Sequence, residues 1–272
     1  MKHARRPAVQ RYHDRVAGRY DDIYDDAYWA WHDRLTWEHI RAHLPRNLAG
    51  RTLDLGCGTG KWGMRLLESG FHVTFVDISA DMLDQARARI ADSPLARRAE
   101  FVHADLMDLT ALPEHAFDFA VAMGEPIGCA DSPAAALGQI RRALTPGATL
   151  VATFDNRLAC VDHYVEHESV DALAELLRNG RTRWLTRDRG EQFTVHTWTP
   201  AQLRNLLEKC GFEVIDLIGK TVLPMRRFRE KLSDARAARR YMQIEKGLHR
   251  LEAALGRCAH LQAAARVRVS HA

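Results

Sequence analysis

The chain has 272 residues, 46% hydrophobic and 27% charged, with a net charge of +4; this composition excludes a disordered chain and suits one large α/β domain with a substantial core. No apolar run reaches the ~18 residues of a membrane span, and no apolar segment follows the basic start (Lys2, Arg5, Arg6) as it would in a secretory signal. Five scattered cysteines without paired metal spacing read as reduced thiols of a cytoplasmic protein. Charge is uneven: residues 1–180 hold 20 basic and 26 acidic side chains, and residues 181–272 hold 19 and 9. A solvated arginine-rich helix explains this more simply than an anionic substrate or a nucleic acid.

The first forty residues read as helical and aromatic, with Tyr12, Tyr20, Tyr24, Tyr28, Trp29, Trp31 and Trp37. Pro45 and Gly50 mark entry into a core. Strands are expected at about 51–55, 72–76, 100–103, 117–123 and 148–154. Between them fall helices at 61–69, after Ser79 (Met82, Leu83, Ala86 and Ile90 on one face), and at 133–144 before Pro146-Gly147. Strands alternating with helices mean a parallel sheet covered on both faces. The pattern then changes. Residues 160–178 read as one helix, and 182–187 and 192–198 as a hairpin about Asp188-Arg189-Gly190. Thr199-Pro200 opens a helix, a strand follows at 213–218, residues 226–255 carry a near-heptad apolar stripe, and 260–267 reads as a final strand.

The most informative stretch is Thr52-Leu-Asp-Leu-Gly-Cys-Gly-Thr-Gly60, a strand entering a glycine turn with a helix behind it. Asp77 ends the next strand, where an acid can hold a ribose. A dinucleotide fingerprint needs a third glycine three residues after the second, and that position is Lys61. The alternating glycines at 56, 58 and 60 bring bare backbone to a ligand without requiring a pyrophosphate. On these residues the chain resembles the class I, Rossmann-like methyltransferases that use S-adenosylmethionine, over roughly residues 12–222. The resemblance implies a seven-stranded, mostly parallel sheet with strand 7 antiparallel. It also implies an N-terminal lid (1–44), a cofactor-binding core (45–159), a substrate-side insertion (160–198) and a C-terminal part of the core (199–272). His13-Asp14-Arg-Val-Ala-Gly-Arg-Tyr20-Asp21 is similar to the opening of many small-molecule members, whose helix closes over the cofactor.

The resemblance implies site residues. Asp54, Gly56, Gly58 and Gly60 would hold the methionine part of the cofactor, Asp77 and Ile78 the ribose, and Asp105 and Leu106 the adenine, with Met123 nearby. Tyr20, and next Tyr24, would stand near the sulfonium, where an aromatic face attracts a cation. The loop after strand 4 has Glu125-Pro-Ile-Gly where some amino-methylating relatives have Asn-Pro-Pro-aromatic, which argues against nucleobase and glutamine acceptors; Glu125 either steers a cationic acceptor, takes a proton, or is an exposed turn residue. After strand 5, Asn156, Tyr164 and His167 are candidate acceptor contacts and His163 a candidate base. His163 and His167 share a helix face, but no third metal ligand is evident and no metal is expected. Cys129 and Cys160 fall on loops facing the expected site. The expected activity is methyl transfer to a small molecule, with RNA methylation as the alternative and release of methylthioadenosine as a further one. Oligomeric state is not legible.

Overall fold

In the computed structural model, which describes residues 7–184 and 189–269, the apolar runs become a twisted sheet. β1 (Arg51–Leu55), β2 (His72–Asp77), β3 (Ala99–His103), β4 (Phe117–Ala122) and β5 (Leu144–Asn156) are parallel in the order 3-2-1-4-5. β6 (Arg181–Arg183) and β7 (Thr194–Trp198) form the hairpin. β8 (Phe212–Lys220) completes the other edge, with β9 (His260–Val267) antiparallel between β5 and β8. The seven-stranded core with an antiparallel strand 7 is therefore present. The hairpin raises the count to nine, because β7 pairs with the carboxyl end of β5 through Asp155–Thr197 and Asn156–Trp198.

Twelve helices surround this sheet among the described residues. α1 (Ala8–Val16), α2 (Tyr20–Ile23) and α3 (Ala27–Ala42) precede it. α4 (Lys61–Glu68), α5 (Ala80–Ile90), α6 (Pro126–Cys129) and α7 (Pro133–Ala143) connect the parallel strands. α8 (Val161–His167) and α9 (Val170–Asn179) follow β5, α10 (Pro200–Lys209) follows β7, and α11 (Ala235–Leu248) and α12 (Glu252–Leu255) lie between β8 and β9. Apolar side chains pack both faces of the sheet, Leu53, Leu55 and Ala120 on one and Phe75, Phe119 and Val121 on the other.

Three expectations change. The single helix over 160–178 is two, because Ser169 accepts the Ala172 N–H and starts a new helix after His167. The long stripe over 226–255 breaks into a 3-10 turn, α11 and α12. Asp234 caps α11, while Phe228 and Leu251 are 38% and 53% exposed. The described hairpin strands are shorter than expected, with a 3-10 turn at Arg189–Glu191, and Asp188 lies outside the described residues. The N-terminal region also divides in its packing. α3 buries Tyr28, Trp31 and Leu35 against Met225, Leu232 and Met242, whereas α1 and the turn after it pack Val16 and Ala17 on Met82 of α5.

Candidate functional site

Two adjoining chambers open at the carboxyl ends of β1, β2, β4 and β5, where a doubly wound sheet places its ligands. The larger, about 510 Å³, is lined by Gly56, Gly58, Asp77, Ile78, Asp105, Leu106 and Met123 under His13 and Tyr20. The smaller, about 260 Å³, is lined by Tyr20, Tyr24, Trp29, Glu125, Asp155, Lys220 and His260. They meet at Gly56, Gly58, Tyr20 and Met123.

The glycine turn is shaped by what it must pass. Gly56 has φ +62°, and a Cβ there would stand 2.4 Å from Pro126 Cβ, so only glycine lets the loop after β1 lie against the loop after β4. Gly63, inside α4, has the same necessity: its Cβ would lie 2.1 Å from the Phe75 ring and 2.8 Å from Asp54 Oδ2. That bare approach lets the Gly63 N–H donate to the buried Asp54 carboxylate at 2.7 Å. Burial pushes the Asp54 carboxyl up to about 7, with the Gly63 N–H opposing and Asp77 adding to the rise.

Asp77 lies at the junction of turn and strand. Its Oδ2 accepts the Gly58 N–H at 2.8 Å and its Oδ1 the Ser79 N–H at 2.9 Å. Burial raises its pKa and these two N–H groups pull it back. Each carboxylate oxygen keeps a second lone pair, and Asp77 lines the larger chamber. Asp105 Oδ1 accepts the Met107 N–H at 2.9 Å, which presents Leu106 and Met107 to the same chamber. His103 donates to the Ile78 carbonyl at 2.8 Å. Asp54 and Gly60 do not line either chamber; they stand behind the turn, Gly60 against Ala86 and Phe75.

The two aspartates of the N-terminal signature latch its helices to this loop. Ser79 Oγ donates to Asp14 at 2.6 Å, and Thr59 Oγ1 donates to Asp21 at 2.6 Å. Arg89 adds an ion pair to Asp21, and Arg15 pairs with Glu191 at 2.6 Å, tying α1 to the turn before β7. Tyr20 is thereby held over Gly58, whose added Cβ would meet its ring at 3.9 Å, with the Tyr24 ring 5.0 Å away. Burial pushes the Tyr20 hydroxyl well above its ordinary range, and Tyr24, Glu125 and Asp77 push the same way. Tyr20 therefore stays neutral at physiological pH.

Glu125 occupies left-handed backbone, φ 60°, where a non-glycine side chain is strained. Thr153 Oγ1 holds the turn by accepting the N–H groups of both Gly124 and Glu125. The strain aims Glu125 into the smaller chamber, within 4.8 Å of the ligand atoms of Asp155 and His260.

Three expected acceptor contacts and the expected base lie elsewhere. Asn156 is buried and structural: its Nδ2 donates to the carbonyls of Leu255, Gly256 and Cys258, and its Oδ1 accepts the Leu158 N–H. Tyr164 spends its hydroxyl on Thr182 at 2.7 Å. His163 and His167 stack on each other at 4.8 Å on the exposed face of α8. None of the four lines either chamber. Burial raises the Cys129 and Cys160 thiols, the second to about 12, so neither is a ready thiolate. Sequence reasoning passed over Lys220, His260 and Asp155. Asp155 alone carried a signal, its place at the carboxyl end of a parallel strand.

The chain is similar to known proteins. A family described as "Methyltransferase domain" matches residues 52–147. A demethylmenaquinone methyltransferase of Leptospira interrogans is 33% identical over 143 residues, 51% of this chain and 57% of that protein. The chain thus spans little more than half the length of that relative. The O-methyltransferase resE of Aspergillus sclerotiorum is 29% identical over 203 residues, 73% of this chain and 69% of its own. Among solved structures, a SAM-dependent methyltransferase of Methanosarcina mazei superposes with a TM-score of 0.61 at 20% identity, covering 85% of this chain and 97% of that one.

Proposed function

This chain belongs to the class I, Rossmann-like S-adenosylmethionine-dependent methyltransferase family, and from that premise we propose that it methylates a small molecule held in the smaller chamber. The observation that carries the reading is the pair of chambers meeting beneath Tyr20 at Gly56 and Gly58. One suits a nucleoside, with a buried carboxylate for a ribose and a half-apolar slot at Leu106–Met107 for a flat base. The other is lined by the aromatics Tyr20, Tyr24 and Trp29.

When bound, S-adenosylmethionine supplies a methyl group on a sulfonium, already a strong electrophile, so the protein's task is placement and proton handling. Asp77 holds both ribose hydroxyls through the free lone pairs of its carboxylate. Asp105 and the main chain at Leu106 orient the adenine. The glycine turn and Asp54 hold the amino-acid end, Asp54 from behind through the turn. Tyr20, neutral and pressed over Gly58, presents an aromatic face to the reacting end and excludes water.

Arg236, Arg239 and Arg240 are exposed on α11, outside both chambers. That placement supports a small molecule over RNA. Calorimetry with S-adenosylhomocysteine and NAD tests the cofactor assignment: the first binds and the second does not. Incubation with methyl-labelled S-adenosylmethionine and either total RNA or a small-molecule extract, followed by product analysis, tests the rest. Label in RNA, or methylthioadenosine as the product, overturns the reading.

A further inference from the structure

Three adjacent strands place Asp155, His260 and Lys220 on one rung of the sheet: Asp155 pairs with His260 across β5 and β9, and Lys220 pairs with His260 across β9 and β8. Directly opposed residues point to the same face with Cβ atoms about 5 Å apart, and all three line the smaller chamber, with Glu125 arriving from the β4 loop.

The rung is unusual in how little it is satisfied. Lys220 is 1% exposed, yet the partner its ammonium has among the described residues is the Thr36 hydroxyl at 3.2 Å, whose own proton goes to the His32 carbonyl. No ion pair within 4.0 Å joins Lys220 to a carboxylate among the described residues. The Glu125 and Asp155 carboxylates accept no hydrogen bond there, and Asp155 approaches His260 only to 3.9 Å. A buried ammonium and two carboxylates thus face one space without neutralising one another at contact distance, with a second cation, Arg226, and the Lys61–Asp33 ion pair also on its wall.

Charge complementarity sorts what can occupy that space. An amine arriving as a cation meets the like charge of Lys220. A carboxylate meets Glu125 and Asp155. A neutral hydroxyl meets neither penalty and uses both signs, its oxygen against the ammonium and its hydrogen toward a carboxylate. We infer that the acceptor is a weakly acidic hydroxyl, a phenol or an enol, whose oxygen is held by Lys220 and whose proton passes to Asp155 beside Glu125.

The inference rests on the methyl-transfer reading and names its substrate class. In the step, the O–H bond breaks, the proton goes to the Asp155 carboxylate and the electron pair stays on oxygen. That oxygen then forms the bond to the methyl carbon as the methyl–sulfur bond breaks, its pair remaining on sulfur. The environment fits both roles. Burial, set against Glu125 and Asp33, brings Lys220 down to about 8, so it remains largely charged at neutral pH. Burial and the neighbouring Glu125 raise Asp155, with Lys220 and Arg226 opposing, which makes it a stronger base than an ordinary carboxylate. Burial lowers His260, which stays neutral between them.

The test uses the full chain saturated with S-adenosylhomocysteine and the chromogenic probe 4-nitrophenol, whose colour reports its ionisation, with benzylamine and benzoate titrated by calorimetry. The expected result is that 4-nitrophenol binds at least about tenfold tighter than either control and that its ionisation midpoint falls by about one pH unit on binding. Lys220→Met abolishes the fall, and Asp155→Asn, which removes a negative charge, enlarges it. A merely structural role moves neither in that opposed way. If Lys220→Met does not fold, Thr36→Val, which leaves the ammonium unanchored, must shrink the fall. An amine or acid bound as tightly as the phenol, a midpoint that does not move, a shift that survives Lys220→Met, or no binding of any probe overturns the inference. Homocysteine-product binding, measured on the same sample, separates the failures: its absence sinks the cofactor reading, and its presence beside a failed phenol result sinks this inference alone.

Discussion

Replacing Asp77 tests the cofactor assignment and separates its two jobs. The carboxylate is 7% exposed and accepts two backbone N–H groups, from Gly58 and Ser79. Asp77→Ala leaves the buried Ser79 N–H without an acceptor, which costs roughly 1–3 kcal/mol of stability, and the half-buried Gly58 N–H facing the chamber. It also removes the acceptor for the ribose hydroxyls. A hydrogen bond to a charged group contributes about 1.5–3 kcal/mol, so affinity for S-adenosylhomocysteine should fall by about 10- to 150-fold. Asp77→Asn keeps the size and one oxygen, but its amide nitrogen faces an N–H donor; it should lose part of each effect. The assay is calorimetric titration beside thermal unfolding of the ligand-free variants. A lowered melting temperature with unchanged affinity would mean that Asp77 only anchors the turn, and the ribose assignment would be refuted.

Further outcomes follow from the same geometry. Gly56→Ala forces a Cβ into Pro126 at a positive φ and should lower stability by about 1–3 kcal/mol; chemical denaturation measures it, and Pro126→Gly should recover part. Asp54, raised to about 7 when folded, stabilises the ligand-free protein below its unfolded value near 4 and loses that contribution as pH rises through about 7. Thermal unfolding between pH 5 and 8 should therefore show a falling stability that Asp54→Asn does not share. The cofactor's ammonium favours ionised Asp54, so binding near pH 6.5 should release a proton; calorimetric enthalpies that match in buffers of different ionisation heat would exclude this. Hydrogen exchange in residues 8–24 should slow with S-adenosylhomocysteine, and Arg15→Ala, which breaks the tie to Glu191, should weaken that protection. Equal exchange with and without ligand argues against a closing lid.

The residues proposed for the cofactor could be grouped from sequence because their spacing is local. Asp54, the alternating glycines and Asp77 fall within one βαβ unit, where strand ends and turn lengths place residues by spacing alone. The signature at Asp14 and Asp21 was legible as a segment of its own, though the two hydroxyl contacts to Ser79 and Thr59 that seat it need the fold. The acceptor half was not. Asn156 ends β5, but carbonyls from Leu255 to Cys258 take its amide, while on α8 Tyr164 bonds Thr182 and His167 is exposed. Lys220 and His260 become neighbours of Asp155 only through strand register. The apolar stripe after Met225 suggested a longer helix than Asp234 and the exposed Leu251 permit.

That register also bears on the order in which the molecule assembles. Asp155 and His260 lie 105 positions apart, and His260 must be inserted between β5 and β8, strands separated in sequence by α8, α9, β6, β7 and α10. The turn that carries Gly58 and Asp77 closes over only 19 positions. Loop closure makes the short contacts early and the distant pairings late. A refolding chain should thus regain the turn that joins Gly58 to Asp77 before the floor of the smaller chamber exists, so that the two halves of one site are completed at different times.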